Sequence, residues 1–188
     1  MGKIYCVMGK SSSGKDTVYK KLKEQYKEFR LIVPYTTRPI REGEKDGVEY
    51  YFVDPEQFRA MKEDGKVIES RSYNTKCGIW TYFTADDGQI DLSAADYLLI
   101  GTLVSYQALR EYFGEEAIVP VYLEVEDGLR LARALERERR QEKPKYAEMC
   151  REILADEEDF REIWKEQGSQ SGFRIQIWIR SHRKSLPT

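Results

Sequence analysis

The sequence predicts an α/β fold, a doubly wound and mostly parallel sheet, and three observations predict it. Residues 97–101 (YLLIG) and 118–125 (IVPVYLEV) are continuous apolar runs, the composition of strands covered on both faces. A helical pattern at residues 105–113 separates them, so strand and helix alternate in chain order. Residues 3–8 (KIYCVM) form a short β-branched and aromatic run that stops at Gly9, as a buried strand entering a tight loop would.

The remaining elements follow in order. From Gly14 to Tyr26 the apolar positions Val18, Leu22 and Tyr26 recur every four residues among lysines, the pattern of an amphipathic helix. Residues 34–90, rich in Tyr, Thr, Gly and Asp, break the α/β rhythm and read as a small insertion with short strands. An arginine-rich helix is expected over 129–140, a break at Lys143-Pro144, and a second helix over 146–164. Helix, break and helix have the form of a lid. After Glu166 there is no further Asp or Glu, residues 173–179 (FRIQIWI) alternate as a half-buried strand, and a basic tail closes the sequence. No internal repeat or low-complexity segment is present. The expected organisation is one domain over 1–188, with its core at 1–33, 91–127 and 151–188, an insertion at 34–90 and a lid at 128–150.

The 188 residues suffice for a core that needs no staples. A net charge of -2, with 34% charged residues, argues against a protein that coats nucleic acid polymers through bulk positive charge. Cys6, Cys77 and Cys150 lie far apart without metal-ligand spacing, which implies a reducing compartment. With no signal-peptide pattern and no apolar run near the ~20 residues of a membrane span, a soluble, cytoplasmic protein is expected. Oligomeric state is not assigned by these features.

Gly9-Lys10-Ser11-Ser12-Ser13-Gly14-Lys15 has the G-x-x-x-x-G-K spacing of a phosphate-binding P-loop. Its glycines let backbone N–H groups face an anion, its lysine reaches the outer phosphates, and the helix that follows adds its positive end. The strand before it and the helix after it supply the context that separates a P-loop from a Ser/Gly-rich turn. At the next position the usual Ser or Thr, whose hydroxyl holds Mg²⁺, is replaced by Asp16, with Thr17 following. Asp16 reads either as a Mg²⁺ ligand or as an acid favoured in the first turn of a helix.

Residues 35–53 (YTTRPIREGEKDGVEYYFV) resemble the signature of the guanylate kinase family, and with the early P-loop and the lid-like arginines the resemblance covers roughly residues 3–165. It implies a P-loop core binding ATP with Mg²⁺, a GMP-binding insertion and a closing lid. Arg38, Arg41 and Tyr50 match residues that hold the acceptor's phosphate, and guanidiniums with a phenol suit a dianion. Glu69 matches the carboxylate that accepts from guanine N1 and N2. Arg133, Arg137 and Arg151 match lid arginines that reach the phosphates, though Glu136, Glu138 and Glu142 also allow a salt-bridged surface helix.

The sequence also departs from the family pattern. A Tyr-Gly-Ser/Thr element reads here Cys77-Gly78-Ile79, with Tyr73, Thr75, Thr81 and Tyr82 nearby as substitutes. The family's Asp-x-Asp reads Ile100-Gly101-Thr102, leaving Thr102 only a hydroxyl; Asp16 is expected to restore the charge missing at Ile100. His182, the single histidine, falls in the tail where the family has an Asn-containing turn and a closing helix. The resemblance implies phosphoryl transfer from ATP to GMP through Gly9, Ser11, Ser12, Ser13, Gly14, Lys15, Asp16 and Thr17 on the donor side and Arg38, Arg41, Tyr50, Glu69, Gly78 and Thr102 on the acceptor side. Two alternatives stay open: a kinase for another nucleoside monophosphate, and an inactive phosphopeptide-binding module of the same fold.

Overall fold

The structure, a computed structural model, describes residues 1–75, 78–166 and 174–176. Cys77, residues 173 and 177–179 of the expected last strand, the basic tail and His182 lie outside the described residues. The chain divides into two compact units, Met1–Met8 with Asp16–Val121, and Gly9–Lys15 with the chain from Tyr122 on. The division differs from the expected core, insertion and lid, because the phosphate loop groups with the later helices and the insertion with the first strands.

In the first unit, β1 (Ile4–Met8) is buried through Ile4, Cys6 and Val7. It pairs in parallel with β7 (Tyr97–Ile100), register Ile4↔Tyr97 to Val7↔Ile100, and β7 pairs in parallel with the short β2 (Arg30–Leu31). Tyr97, Leu98 and Leu99 are each at most 1% exposed, which is why this strand reads as an unbroken apolar run rather than an alternating one. With β8 (Ile118–Glu124), whose last three residues pair in parallel with β9 (Arg174–Gln176), the strand order is β2-β7-β1-β8-β9. Helix α1 (Lys15–Gln25) keeps Val18 and Leu22 half-buried as its spacing predicts, while Tyr26 lies just past its end.

Helix α3 (Leu103–Phe113) begins two residues before the apolar pattern does. Thr102 accepts the Ser105 N–H, and the Ser105 hydroxyl reaches back to the Thr102 N–H, so a reciprocal cap sets the start. Gly114 ends the helix at φ 91°, a conformation costly for other residues.

The insertion is a second sheet of order β4-β3-β6-β5, formed by β3 (Tyr35–Thr36), β4 (Tyr51–Phe52), β5 (Val67–Thr75) and β6 (Gly78–Ala85). Its last two strands are 9 and 8 residues long, longer than expected, and form an antiparallel hairpin with a bulge between Val67 and Glu69. Sequence reading shortened them because their polar Ser, Asn and Thr positions hide the alternation. Tyr35, Phe83 and Ala85 form a core against which Phe58 and Met61 of α2 (Pro55–Glu63) pack. Phe83 stacks on Tyr35 at 5.0 Å and meets Phe58 at 4.8 Å.

The second unit holds α4 (Asp127–Arg139) and α5 (Tyr146–Glu166), packed through Ala134, Met149 and Ile153. The expected break between them is organised by buried Glu138, which accepts from the Lys145 N–H at 2.8 Å and the Gln141 amide at 2.9 Å. No helix among the described residues is long and apolar enough to cross a membrane.

Asp54 caps α2 by accepting the Glu56 and Gln57 N–H groups, while Gln57 returns a bond to the Asp54 N–H and Pro55 opens the helix. Asp54→Ala should therefore cost about 1 kcal/mol in urea unfolding. A loss of only a tenth or two would mean that packing through Phe58, not the cap, fixes this helix.

Candidate nucleotide-binding site

The phosphate loop belongs to the second unit. Ser12 holds φ 61° and Gly14 φ 91°, the left-handed conformations that turn successive N–H groups to one side of a loop and make an anion nest. The Ser13 N–H donates to the Lys10 carbonyl at 3.1 Å, and the buried Ser12 and Ser13 hydroxyls have no partner among the described residues. Buried hydroxyls left so are costly unless a ligand or water meets them, and here they line the loop with the G-x-x-x-x-G-K spacing. Gly9 is required by close approach, since a Cβ there would fall 2.7 Å from Ser13 Oγ and 3.0 Å from the Leu123 carbonyl oxygen.

Arg130 on α4 holds this loop, and it is not among the arginines read from the sequence. Its side chain is 1% exposed. It donates to the Ser11 carbonyl at 3.1 Å, to Asp156 at 3.3 Å, to Glu157 at 3.2 Å and twice to Asp127, at 3.0 and 2.6 Å. Asp156 in turn accepts the Ser11 N–H at 2.7 Å, and Lys10 pairs with Glu157. A guanidinium buried this deeply is tolerated because every N–H it carries has an acceptor.

Of the three predicted lid arginines, Arg133 reaches the loop, donating at 3.4 Å to both the Ser12 and Ser13 carbonyls. Arg137 lies 4.0 Å from Glu152 on α5, both about half exposed. Arg151 is exposed and pairs with Glu148 one turn before it. Exposed pairs of this sort contribute roughly 0–1 kcal/mol. Arg137 and Arg151 thus sit in surface ion pairs, with Glu152 and Glu148 rather than with Glu136, Glu138 or Glu142.

In the first unit Arg38 is 4% exposed. It makes a two-pronged bond to Glu44, at 2.7 and 2.6 Å, and lies 5.2 Å from the Tyr50 ring centre and 5.4 Å from that of Phe52. Its Nε, buried, has no partner among the described residues. Tyr50 meets Tyr82 edge-on at 5.6 Å; the Glu44 hydrogen bond first, and Tyr82 to a lesser degree, push the Arg38 guanidinium's pKa up, so this phenol, one of the suggested substitutes, joins the cluster. The hydrogen bond from Arg38 pulls the Glu44 carboxyl down to about 2, while burial pushes the Tyr50 phenol up. Arg41 keeps an exposed side chain and gives its backbone N–H to Glu44 at 2.8 Å.

Glu69 is buried and joined to Thr102 through Arg71, a residue the sequence reading did not select. Arg71 bonds Glu69 at 3.1 and 3.4 Å and the Thr102 hydroxyl at 2.7 Å, and the Thr84 hydroxyl donates to Glu69 at 2.9 Å. Gly78 stands apart: it pairs with Thr75, whereas Glu69 pairs with Thr84, six residues further along β6 and so roughly 20 Å away. Its φ of 109° and its carbonyl, which accepts from the Thr75 hydroxyl at 2.7 Å, fit it to the hairpin end. Asp16 and Thr17 are exposed in the first turn of α1, and Ile100 ends β7.

The parallel sheet and the glycine loop following its β1 strand define a P-loop α/β protein. Within that class the sequence resembles guanylate kinases: residues 1–78, which include the loop, Arg38, Tyr50 and Glu69, match the family model described as guanylate kinase. Guanylate kinase of Legionella pneumophila (strain Lens) is 47% identical over 68 residues, 36% of this chain and 32% of that protein. The enzyme of Frankia casuarinae is 49% identical over 61 residues, 32% of this chain and 33% of its own length. The chain's match thus spans about a third of the length of these curated relatives. The crystal structure of guanylate kinase from Anaplasma phagocytophilum superposes with a TM-score of 0.55 at 22% identity, covering 94% of this chain and 78% of that one, a likeness of fold.

Two outcomes test the site. Glu44 titrates at about 2 instead of its ordinary 4.5, so its contribution is complete above 4.5 and is lost as pH falls from 4.5 toward 2. Urea midpoints of the wild type should drop across that window more than those of Glu44→Gln; parallel curves would show that the pair contributes nothing. Gly9→Ala should destabilise by about 1–3 kcal/mol through overpacking against Ser13 and Leu123, read by the same denaturation.

Proposed function

We propose that the protein is a guanylate kinase, moving the γ-phosphoryl of ATP to GMP to give ADP and GDP. One observation carries the acceptor side: a buried Arg38 above Tyr50, its Nε without a partner among the described residues, inside the matched segment. Such a group suits a phosphate dianion, which accepts several charge-assisted bonds at once. Arg41, exposed beside it, is assigned to the same phosphate. The loop amides of Ser12 and Gly14, which the Asp156 and Lys10 carbonyl bonds leave out, the Ser12 and Ser13 hydroxyls and Lys15 are assigned to the donor's β- and γ-phosphates.

Asp16 and Thr17 are the residues assigned to Mg²⁺. Among the described residues no group of three or more His, Cys, Asp or Glu side chains is arranged to hold a metal. One carboxylate and one hydroxyl beside a phosphate loop fit an ion that keeps waters and substrate oxygens as its other ligands. When bound, Mg²⁺ supplies neutralisation of charge on the phosphates. The acceptor phosphate is itself the nucleophile, so the residues' work is positioning and electrostatics rather than covalent chemistry. Arg133 lies on the loop's carbonyl side and is assigned to steady the loop and meet the transferring charge. Arg137 and Arg151 enter this scheme only by leaving Glu152 and Glu148. A cytoplasmic location is proposed with this reading; no helix among the described residues is long and apolar enough to cross a membrane.

ADP release measured with GMP, dGMP, AMP, CMP and UMP tests the assignment. Turnover should be highest with the guanine nucleotides; brisk turnover of another acceptor beside silence with GMP would reassign the substrate. ATP that fails to bind in calorimetry, with or without Mg²⁺, would favour a binding module. Asp16→Ser should lower kcat by about tenfold or more and shift its Mg²⁺ dependence, the effect of losing a charged ligand. An unchanged Mg²⁺ titration would leave Asp16 as a helix-terminal acid.

A further inference from the structure

The outer layer of the Glu69 cluster is a guanidinium rather than a carboxylate. The Glu69 side chain is 4% exposed and that of Arg71 19%. Glu69 Oε1 already accepts from Thr84 and from Arg71, and Oε2 accepts from Arg71 Nε. With both lone pairs of Oε1 taken, this carboxylate is poorly placed to receive the two adjacent N–H donors of a guanine.

Arg71 is placed to do the opposite. Of its five N–H groups, Nε and one on a terminal nitrogen are given to Glu69, and one on the other terminal nitrogen to Thr102. One donor is left on each terminal nitrogen among the described residues. Two such donors on one planar group match the O6 and N7 acceptors of guanine, whereas adenine presents an amino group at the O6 position. Arg71 lies directly across β5 and β6 from Tyr82, and directly opposed residues share a face. Tyr82 packs against Tyr50, and Tyr50 carries Arg38. The phosphate-holding and base-facing arginines therefore flank one aromatic patch.

We propose that Arg71 is the base-reading residue of the acceptor site, donating to O6 and N7 of guanine, with Glu69 and Thr102 as its positioning residues. This rests on the GMP reading above. It also explains why a site lacking a carboxylate at Ile100 and Thr102 keeps Glu69: the glutamate orients the reader.

The test compares kcat/KM and calorimetric Kd for GMP, 7-deaza-GMP, 2-aminopurine ribonucleoside monophosphate and inosine monophosphate on the wild-type chain, so it does not depend on a variant folding. The analogues lacking N7 or O6 should be weaker than GMP by about tenfold or more, while inosine monophosphate, lacking only the 2-amino group, stays within about threefold. In Arg71→Lys, which keeps the charge but not the fork, the gap between GMP and 7-deaza-GMP should shrink to about twofold or less. Equal handling of GMP and 7-deaza-GMP by the wild type, or a penalty for inosine monophosphate as large as that for 7-deaza-GMP, overturns the proposal and leaves the kinase reading intact. GMP bound with this pattern but never phosphorylated does the reverse, and GMP that does not bind overturns both.

Discussion

A buried positive charge must be matched where it sits, and three arginines of this protein impose that demand on everything around them. Arg38 and Arg130 are buried and Arg71 is half-buried, and each is answered by carboxylates: Glu44, the set Asp127, Asp156 and Glu157, and Glu69. Removing one partner from such a pair leaves an uncompensated charge and costs more than the pair contributes in the intact protein. The arrangement is weak as a source of stability and strong as a source of geometry. Each guanidinium is thereby fixed in plane and direction.

The two units solve the same problem by different routes. In the first, the acid that holds Arg38 lies six residues away, in the same loop, so local chain geometry sets the pair. In the second, Arg130 reaches Ser11 across 119 positions of sequence, and the loop's shape depends on helices formed much later in the chain. Arg133 extends that dependence to the next two loop residues.

This difference explains what was legible in the sequence. The strand, glycine loop and helix at the N-terminus could be read because Gly9 and Gly14 answer local demands, a close approach and a positive φ. β7 and β8 could be read because their burial leaves unbroken apolar runs. The motif around Arg38 was visible as a contiguous segment. Arg71 and Arg130 were not, because an arginine on a strand or helix has the pattern of a solvent-facing residue until its distant carboxylates are known. The start of α3 was missed for a similar reason: Thr102 and Ser105 act through a reciprocal bond, not through hydropathy. The unit boundaries also escaped, since a loop that belongs by contact to residues more than a hundred positions later has no local mark of it.

The peptide of Ser11 is gripped on both sides, its carbonyl by Arg130 and its N–H by Asp156, while these two side chains also meet each other. Ser11 is therefore placed from outside the loop, and Lys10, paired with Glu157, ties the loop to the same acidic set. Transplanting residues 9–15 alone into another α/β scaffold would carry over the motif without its shape. A graft would have to bring Arg130 and Asp156 with it, which makes the functional module of this protein a discontinuous one.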